Sequence, residues 1–175
     1  GMVTAFDANG GRKLWSVDVG AAPKGAKASL FGGGVAVDND VVFATNGLGD
    51  VSALDATTGA RKWKVRPSGP LRGAPGVSNG NLYLMTQDSQ LIALSQTDGS
   101  TVWTQSASLE ITGVFGNSSP AAAQGSIVAG FSSGELNAYR YENGRPLWGD
   151  TLSRTSMSTS VSSLSDIDAH PVIDR

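Results

Sequence analysis

His170 is the one histidine of this 175-residue chain, and there is no cysteine. That pair of facts bounds the chemistry available to the side chains. A single histidine without thiolates cannot assemble a conventional zinc site. A Ser-His-Asp triad could form only around His170 itself. His170 stands before Pro171 at an expected strand start, where it reads as a loop residue rather than a base. Asp166 and Asp168 flank Ile167, and residues i and i+2 of an extended segment share a face. Two readings of this acidic pair stand open. One is a turn in which the carboxylates accept hydrogen bonds from nearby backbone amides. The other is an acidic contact patch for a basic partner, or half of a cation site. Calcium takes about six or more oxygen ligands, and no further acidic cluster adjoins the pair. Glycines are plentiful, yet neither a P-loop nor a dinucleotide-binding glycine fingerprint occurs. Asn117-Ser118-Ser119 matches a glycosylation sequon, a pattern common by chance.

A fourfold repeat positions these few residues. The segment Asp50 to Val65, DVSALDATTGARKWKV, returns as Met2 to Val17, Gln90 to Gln105 and Glu135 to Asp150. The shared frame is a small alanine (Ala5, Ala53, Ala93, Ala138), then a glycine (Gly11, Gly59, Gly99, Gly144), then a tryptophan (Trp15, Trp63, Trp103, Trp148). Every tryptophan of the chain belongs to it, and successive ones are 48, 40 and 45 residues apart. A period of that size built from short strands predicts propeller blades. Mechanically, an alternating strand enters a polar turn, the glycine closes it at positive φ, and a second strand carries the tryptophan. The alanine is small so that a neighbouring group packs close to the strand. The tryptophan fills the space between its blade and the next, since one buried indole covers roughly 150–250 Å². This is a structural role rather than ligand binding.

Between the frames the sequence predicts hairpins. Val35–Val37 and Val41–Thr45 surround Asp38-Asn39-Asp40; Ala74–Val77 and Asn81–Met85 surround Asn79-Gly80; Pro120–Ala123 and Ser126–Phe131 surround Gln124-Gly125. Each unit therefore has four antiparallel strands, and no helix is expected. The fold class is all-β, a β-propeller with about four blades taken from a longer ring. The chain is read as a single partial domain, with repeat units near 2–17, 35–65, 75–105 and 120–150. Pro171-Val172-Ile173 reads as the first strand of a further blade over 170–175. The Ser/Thr-rich run 151–165 is long for an interblade loop.

Composition agrees with a turn-rich β protein: 23 glycines without a strict period, and 39% aliphatic and aromatic residues for a core. A net charge of −2 gives no sign of nucleic-acid binding or of attraction to an anionic membrane. Residues 1–72 hold nine basic and six acidic groups, and the remainder four and nine. No apolar run has the length of a membrane-spanning helix.

The frame ALDATTGARKW (Ala53–Trp63) resembles that of a superfamily of eight-bladed propellers. It includes the quinoprotein dehydrogenases, which bind pyrroloquinoline quinone (PQQ), and non-enzymatic PQQ-like repeat proteins. ALSQTDGSTVW and AYRYENGRPLW replace the frame aspartate by Ser95 and Arg140. More specific are LRGAPGVSNGNLYLMTQDSQLIAL (Leu71–Leu94), SSPAAAQGSIVAGFSSGELNAY (Ser118–Tyr139) and LSDIDAHPVIDR (Leu164–Arg175). In their order they resemble the BamB family, a lipoprotein family of the machinery that assembles β-barrels in the bacterial outer membrane. The resemblance covers essentially the whole chain, as the middle of such a protein.

The resemblance implies a non-catalytic scaffold without a cofactor at the periplasmic face of the outer membrane. Its partners would be the POTRA domains of BamA and unfolded outer-membrane protein clients, with a lipid anchor outside this stretch as the only membrane attachment. The family's acidic contact segment falls on Leu164, Asp166 and Asp168. A second contact loop, patterned L-x-L-R-G in the family, falls near Ile111 and Phe115. Here TGVFGNSSP places Phe115 at the arginine position, which turns a charged contact into an apolar one. Two competing readings follow from the frame alone. A PQQ-dependent dehydrogenase would carry a cofactor, Ca²⁺ and a catalytic aspartate, and usually a vicinal cysteine pair, which this chain lacks. A sensor propeller attached to a kinase would lack LSDIDAHPV. Self-association through open blade edges is a further expectation.

Overall fold

The computed structural model describes residues 1–20, 33–71, 73–107, 118–152, 167 and 170–174. Among them are fourteen strands and no helix. Blade one is a two-stranded sheet of β1 (Met2–Phe6) and β2 (Lys13–Asp18). Blade two is β3 (Val35–Asp38), β4 (Val41–Thr45), β5 (Val51–Asp55) and β6 (Arg61–Val65). Blade three is β7 (Gly76–Ser78), β8 (Asn81–Met85), β9 (Gln90–Ser95) and β10 (Thr101–Ser106). Blade four is β11 (Ala121–Ala123), β12 (Ser126–Gly130), β13 (Glu135–Arg140) and β14 (Pro146–Thr151). Every pairing is antiparallel between sequence neighbours, and the short first strand β7 lies beside both β3 and β11. This is the β-propeller the repeats predict.

The hairpin turns explain the register. Ser78 pairs with Asn81, so Asn79 and Gly80 form a two-residue loop with φ of 52° and 73°. Asn39-Asp40 and Gln124-Gly125 repeat it, with φ of 46° and 62°, and of 50° and 77°. Positive φ at both central residues defines the turn whose twist matches paired strands. The frame alanine then stands directly opposite the tryptophan: Ala5 to Trp15, Ala53 to Trp63, Ala93 to Trp103 and Ala138 to Trp148. A larger side chain there would occupy the space of the indole.

The core lies between blades rather than within one. Val19, Val42, Ala44 and Leu54 pack with Trp15 between blades one and two. Phe43, Val51, Leu82, Leu84, Ile92 and Leu94 pack with Trp63 between two and three. Tyr83, Met85, Leu91, Ile127 and Phe131 pack with Trp103 between three and four. A strand buried on both faces reads as a continuous apolar run, and β4, β8 and β12 do so.

The expected strand at Pro171–Ile173 has no ladder partner among the described residues and is irregular backbone. A strand exists only through pairing, and Pro171 has no N–H to offer a ladder. The strand expected over Ala74–Val77 starts two residues later and ends one residue later, as Gly76–Ser78.

Candidate functional site: blade joints and the segment seated on blade four

Three joints share one geometry. The Nε1–H of Trp15 donates to the carbonyl of Ala56 at 2.9 Å, that of Trp63 to Gln96 at 3.0 Å, and that of Trp103 to Tyr141 at 2.8 Å. Each acceptor lies in the next blade, three residues after its frame alanine. The indole then rests on that blade's frame glycine. A β-carbon on Gly59 would sit 2.8 Å from Cδ2 of Trp15, one on Gly99 3.0 Å from Cε3 of Trp63, and one on Gly144 2.7 Å from Cε3 of Trp103. Their φ angles are 74°, 76° and 70°. The glycine thus answers two demands at once: left-handed backbone and an indole face in contact. Neighbouring rings complete the packing, with Phe43 6.0 Å from Trp63 and Tyr83 5.9 Å from Trp103 between centroids.

The two remaining members of the frame differ. Gly11 has φ of 65°, but a β-carbon there would meet nothing within 4 Å. Trp148 is 51% exposed. Ala53, Ala93 and Ala138 are fully buried, whereas Ala5 is half-buried.

Acidic side chains of the frame serve turns. Oδ1 of Asp55 accepts from the amides of Thr57 and Thr58 and from the Thr58 hydroxyl. Those hydrogen bonds, led by the Thr58 amide, hold its carboxyl below the ordinary range. Ser95 replaces that aspartate in blade three, and its hydroxyl accepts from the Thr97 amide at 3.2 Å. The loss of the aspartate from the frame is therefore chemically conservative there.

Sequence reasoning missed Asp50. It is almost fully enclosed, with a side chain 5% exposed, and sits between Lys64 Nζ at 3.0 Å and Arg66 Nη2 at 2.7 Å. Asn46 Nδ2 also donates to it at 3.1 Å and to the carbonyl of Val19 at the same distance. Burial alone would raise this carboxyl; the Asn46 hydrogen bond and the two cations overcome it, and the net shift is downward. The only hint in the sequence is Lys64 and Arg66 alternating on the strand that pairs with β5 and just beyond it.

The resemblance assigns partner contacts to the acidic pair and its neighbours. Leu164, Asp166, Asp168, Ile111 and Phe115 all lie outside the described residues. So does Asn117 of the sequon. The residues beside them are placed. Ile167 donates its amide to the carbonyl of Phe131 at 3.3 Å, and its side chain covers Gly130, where a β-carbon would lie 2.5 Å from Cγ2. His170 accepts the Ser119 amide on Nδ1 at 2.9 Å. Gln124 Nε2 donates to the carbonyl of Asp174 at 3.4 Å. Sequence reasoning took His170 for a loop residue, and it is exposed, but it reaches back 51 positions to the entry of β11. Among the described residues no three His, Cys, Asp or Glu groups gather as metal ligands.

Four-stranded blades docked by a tryptophan onto the next blade's glycine define a PQQ-like repeat β-propeller. Within that class, the family model described as "Outer membrane protein assembly factor BamB" matches residues 1–175, and the chain belongs to this family. The BamB of Moranella endobia (strain PCIT) is 31% identical over 177 residues, covering 99% of this chain and 45% of its own length. That of Escherichia coli (strain K12) is 31% identical over 176 residues with the same coverage. The chain thus spans about half the length of the curated relatives it matches. Among solved structures, BamB from Moraxella catarrhalis superposes with a TM-score of 0.83 at 23% identity, covering 99% of this chain and 50% of the other. Quinohemoprotein alcohol dehydrogenase from Comamonas testosteroni superposes less closely, with a TM-score of 0.57 at 21% identity over 69% of this chain and 21% of the other. These last two likenesses are likenesses of fold.

Proposed function

We propose that this chain is a non-enzymatic scaffold of outer-membrane protein assembly, working at the periplasmic face of the outer membrane and binding the POTRA domains of BamA. The observation that carries this reading is the BamB family match along the full 175 residues. The acidic segment Leu164, Asp166 and Asp168 forms one contact, and the loop with Ile111 and Phe115 forms the second, more apolar one. Unfolded β-barrel precursors are the clients that the assembled complex handles.

Two features support a scaffold. Three of the four frame tryptophans (Trp15, Trp63, Trp103) and three of the frame glycines (Gly59, Gly99, Gly144) hold blades together. The carboxylates with lowered pKa, Asp18, Asp50, Asp55 and Asp98, are engaged with structural partners, the first through the Gly20 amide and the last through the Ser100 amide and hydroxyl. Titration of the chain with soluble POTRA domains in a calorimeter tests the reading, with PQQ and Ca²⁺ titrated in parallel. Saturable heat with POTRA and none with PQQ is expected. Saturable PQQ uptake without POTRA binding overturns the proposal in favour of a quinoprotein.

A further inference from the structure

We infer that the free edge of β10 is a docking site for an extended, uncharged polypeptide segment, which joins blade three as an added outer strand. The inference rests on the proposed function, which supplies unfolded β-barrel precursors as the source of such segments. β10 is the outermost strand of blade three, with β9 as its one ladder neighbour. The ladder fixes which of its backbone groups are free. Ala107 donates its amide to the carbonyl of Ser89 at 3.0 Å, in step with Ser106 opposite Gln90 and Gln105 opposite Leu91. Hydrogen-bonded pairs alternate along an antiparallel ladder. Gln105 and Trp103 therefore turn their N–H and C=O to β9, and Thr104 and Ser106 turn theirs outward. Both outward residues are exposed, and their backbone groups have no partner among the described residues.

Folded proteins guard strand edges with lysine, proline, bulges or a covering group. The other three blades carry such guards at the matching places, one and three residues after each tryptophan. In blade one the outward carbonyl of Asp18 is taken by Nη2 of Arg61 at 2.8 Å. In blade two Lys62 and Lys64 stand on the edge strand itself. In blade four the edge strand opens on Pro146, which has no N–H, and Gly149 holds an outward place. β10 reads TVWTQS, with no charge, no proline, no glycine and three β-branched residues. Its one irregularity falls at its start, between Thr101 and Trp103, so Thr104 to Ser106 is regular ladder. Val102, 46% exposed, adds an apolar side chain to this edge. An incoming strand would gain main-chain hydrogen bonds whatever its sequence, and cross-strand pairs with Val102 and Thr104 would favour aromatic and β-branched residues. A charged segment would lose its hydration there with no opposite charge on β10 to meet it. Uncharged segments of alternating hydrophobicity are the pattern of membrane-spanning β-strands.

The test uses the intact chain and an end-blocked peptide of about ten residues in which tyrosine or valine alternates with threonine or serine. Hydrogen exchange at the Thr104 and Ser106 amides should slow when the peptide is added. The same peptide N-methylated throughout should not bind, having no N–H to give. Two variants alter the edge and leave the β9 ladder whole: Thr104→Pro removes the outward N–H, and Thr104→Lys transplants the guard of blade two. Each should weaken peptide binding about fivefold, the range for one hydrogen bond. The parent chain is titrated with soluble POTRA domains alongside. Unchanged peptide affinity in both variants, or protection at the Lys64 or Gly149 amide instead, overturns the docking site. So does slow exchange at Thr104 and Ser106 before peptide is added; slowing that grows with protein concentration assigns the edge to a second copy. Absence of peptide binding by a chain that binds POTRA overturns the site and leaves the proposed function standing. Absence of POTRA binding refutes the proposed function instead. The edge is then judged on the peptide alone: protection at Thr104 and Ser106 with weakened binding in both variants upholds it, and the lack of either overturns it.

Discussion

At the scale of single residues, the frame glycines separate two effects that usually come together. Gly11 and Gly144 share left-handed backbone, with φ of 65° and 70°, but only Gly144 lies under an indole. Gly11→Ala should therefore cost about 1–2 kcal/mol, the penalty of left-handed backbone for an L-residue. Gly144→Ala should cost about 1–3 kcal/mol more, for forcing the Trp103 ring away. Urea denaturation of the two variants measures the difference, and equal costs would show that the indole contact is energetically idle. Asp50 gives a pH prediction. Its folded-state carboxyl lies below the ordinary value, so its contribution is in full force above the unfolded pKa of about 3.9 and is lost as pH falls through the lower folded value. Asp50→Ala should cost about 2–4 kcal/mol at neutral pH, because it strands Lys64, Arg66 and Asn46 around an empty position. That cost should shrink in acid below about pH 4. The glycine and alanine positions were legible in the sequence because a repeat fourfold in one chain acts as its own alignment. Asp50 was not, because its partners Asn46, Lys64 and Arg66 come from a turn and another strand, and their convergence depends on register.

At the scale of elements, the joint between blades is the unit of cohesion. The three buried clusters sit at joints, and the outer strands of blades one, two and three each supply the tryptophan that enters the next blade. Stability in such an array is close to a sum of intrinsic blade terms and nearest-neighbour interfaces. Trp103, 8% exposed, closes the joint of blades three and four, whereas Trp148 is 51% exposed. Trp103→Ala should cost about 3–5 kcal/mol. Trp148→Ala should stay below about 1 kcal/mol, as for an exposed position. Chemical denaturation of both variants checks the contrast, and comparable losses would mean that exposure does not report docking. The hairpins were readable from Asn-Gly, Gln-Gly and Asn-Asp dipeptides between apolar runs. The carbonyl acceptors Ala56, Gln96 and Tyr141 were not, since any residue type supplies a carbonyl and only their constant distance from the frame alanine marks them. Pro171–Ile173 has the composition of a strand, but composition cannot supply the partner that makes one.

At the scale of the whole molecule, the order of blades follows from the repeat alone, whereas function does not. Fold likeness reaches both a BamB and a quinohemoprotein alcohol dehydrogenase. Stretches between the frames, such as LSDIDAHPV, carry no repeat signal, and the family match comes from the whole chain. The structure adds the seats of Ile167 and His170 within that stretch, which no periodicity would reveal. The proposed function requires the acidic pair to meet BamA. Calorimetric titration of the Asp166→Ala, Asp168→Ala double variant with POTRA domains, against the unaltered chain, tests it most directly. Binding by the unaltered chain is expected to weaken by about 1.4 kcal/mol or more, a factor of ten, in the double variant. Equal affinity of the two chains, or no binding by either, contradicts it.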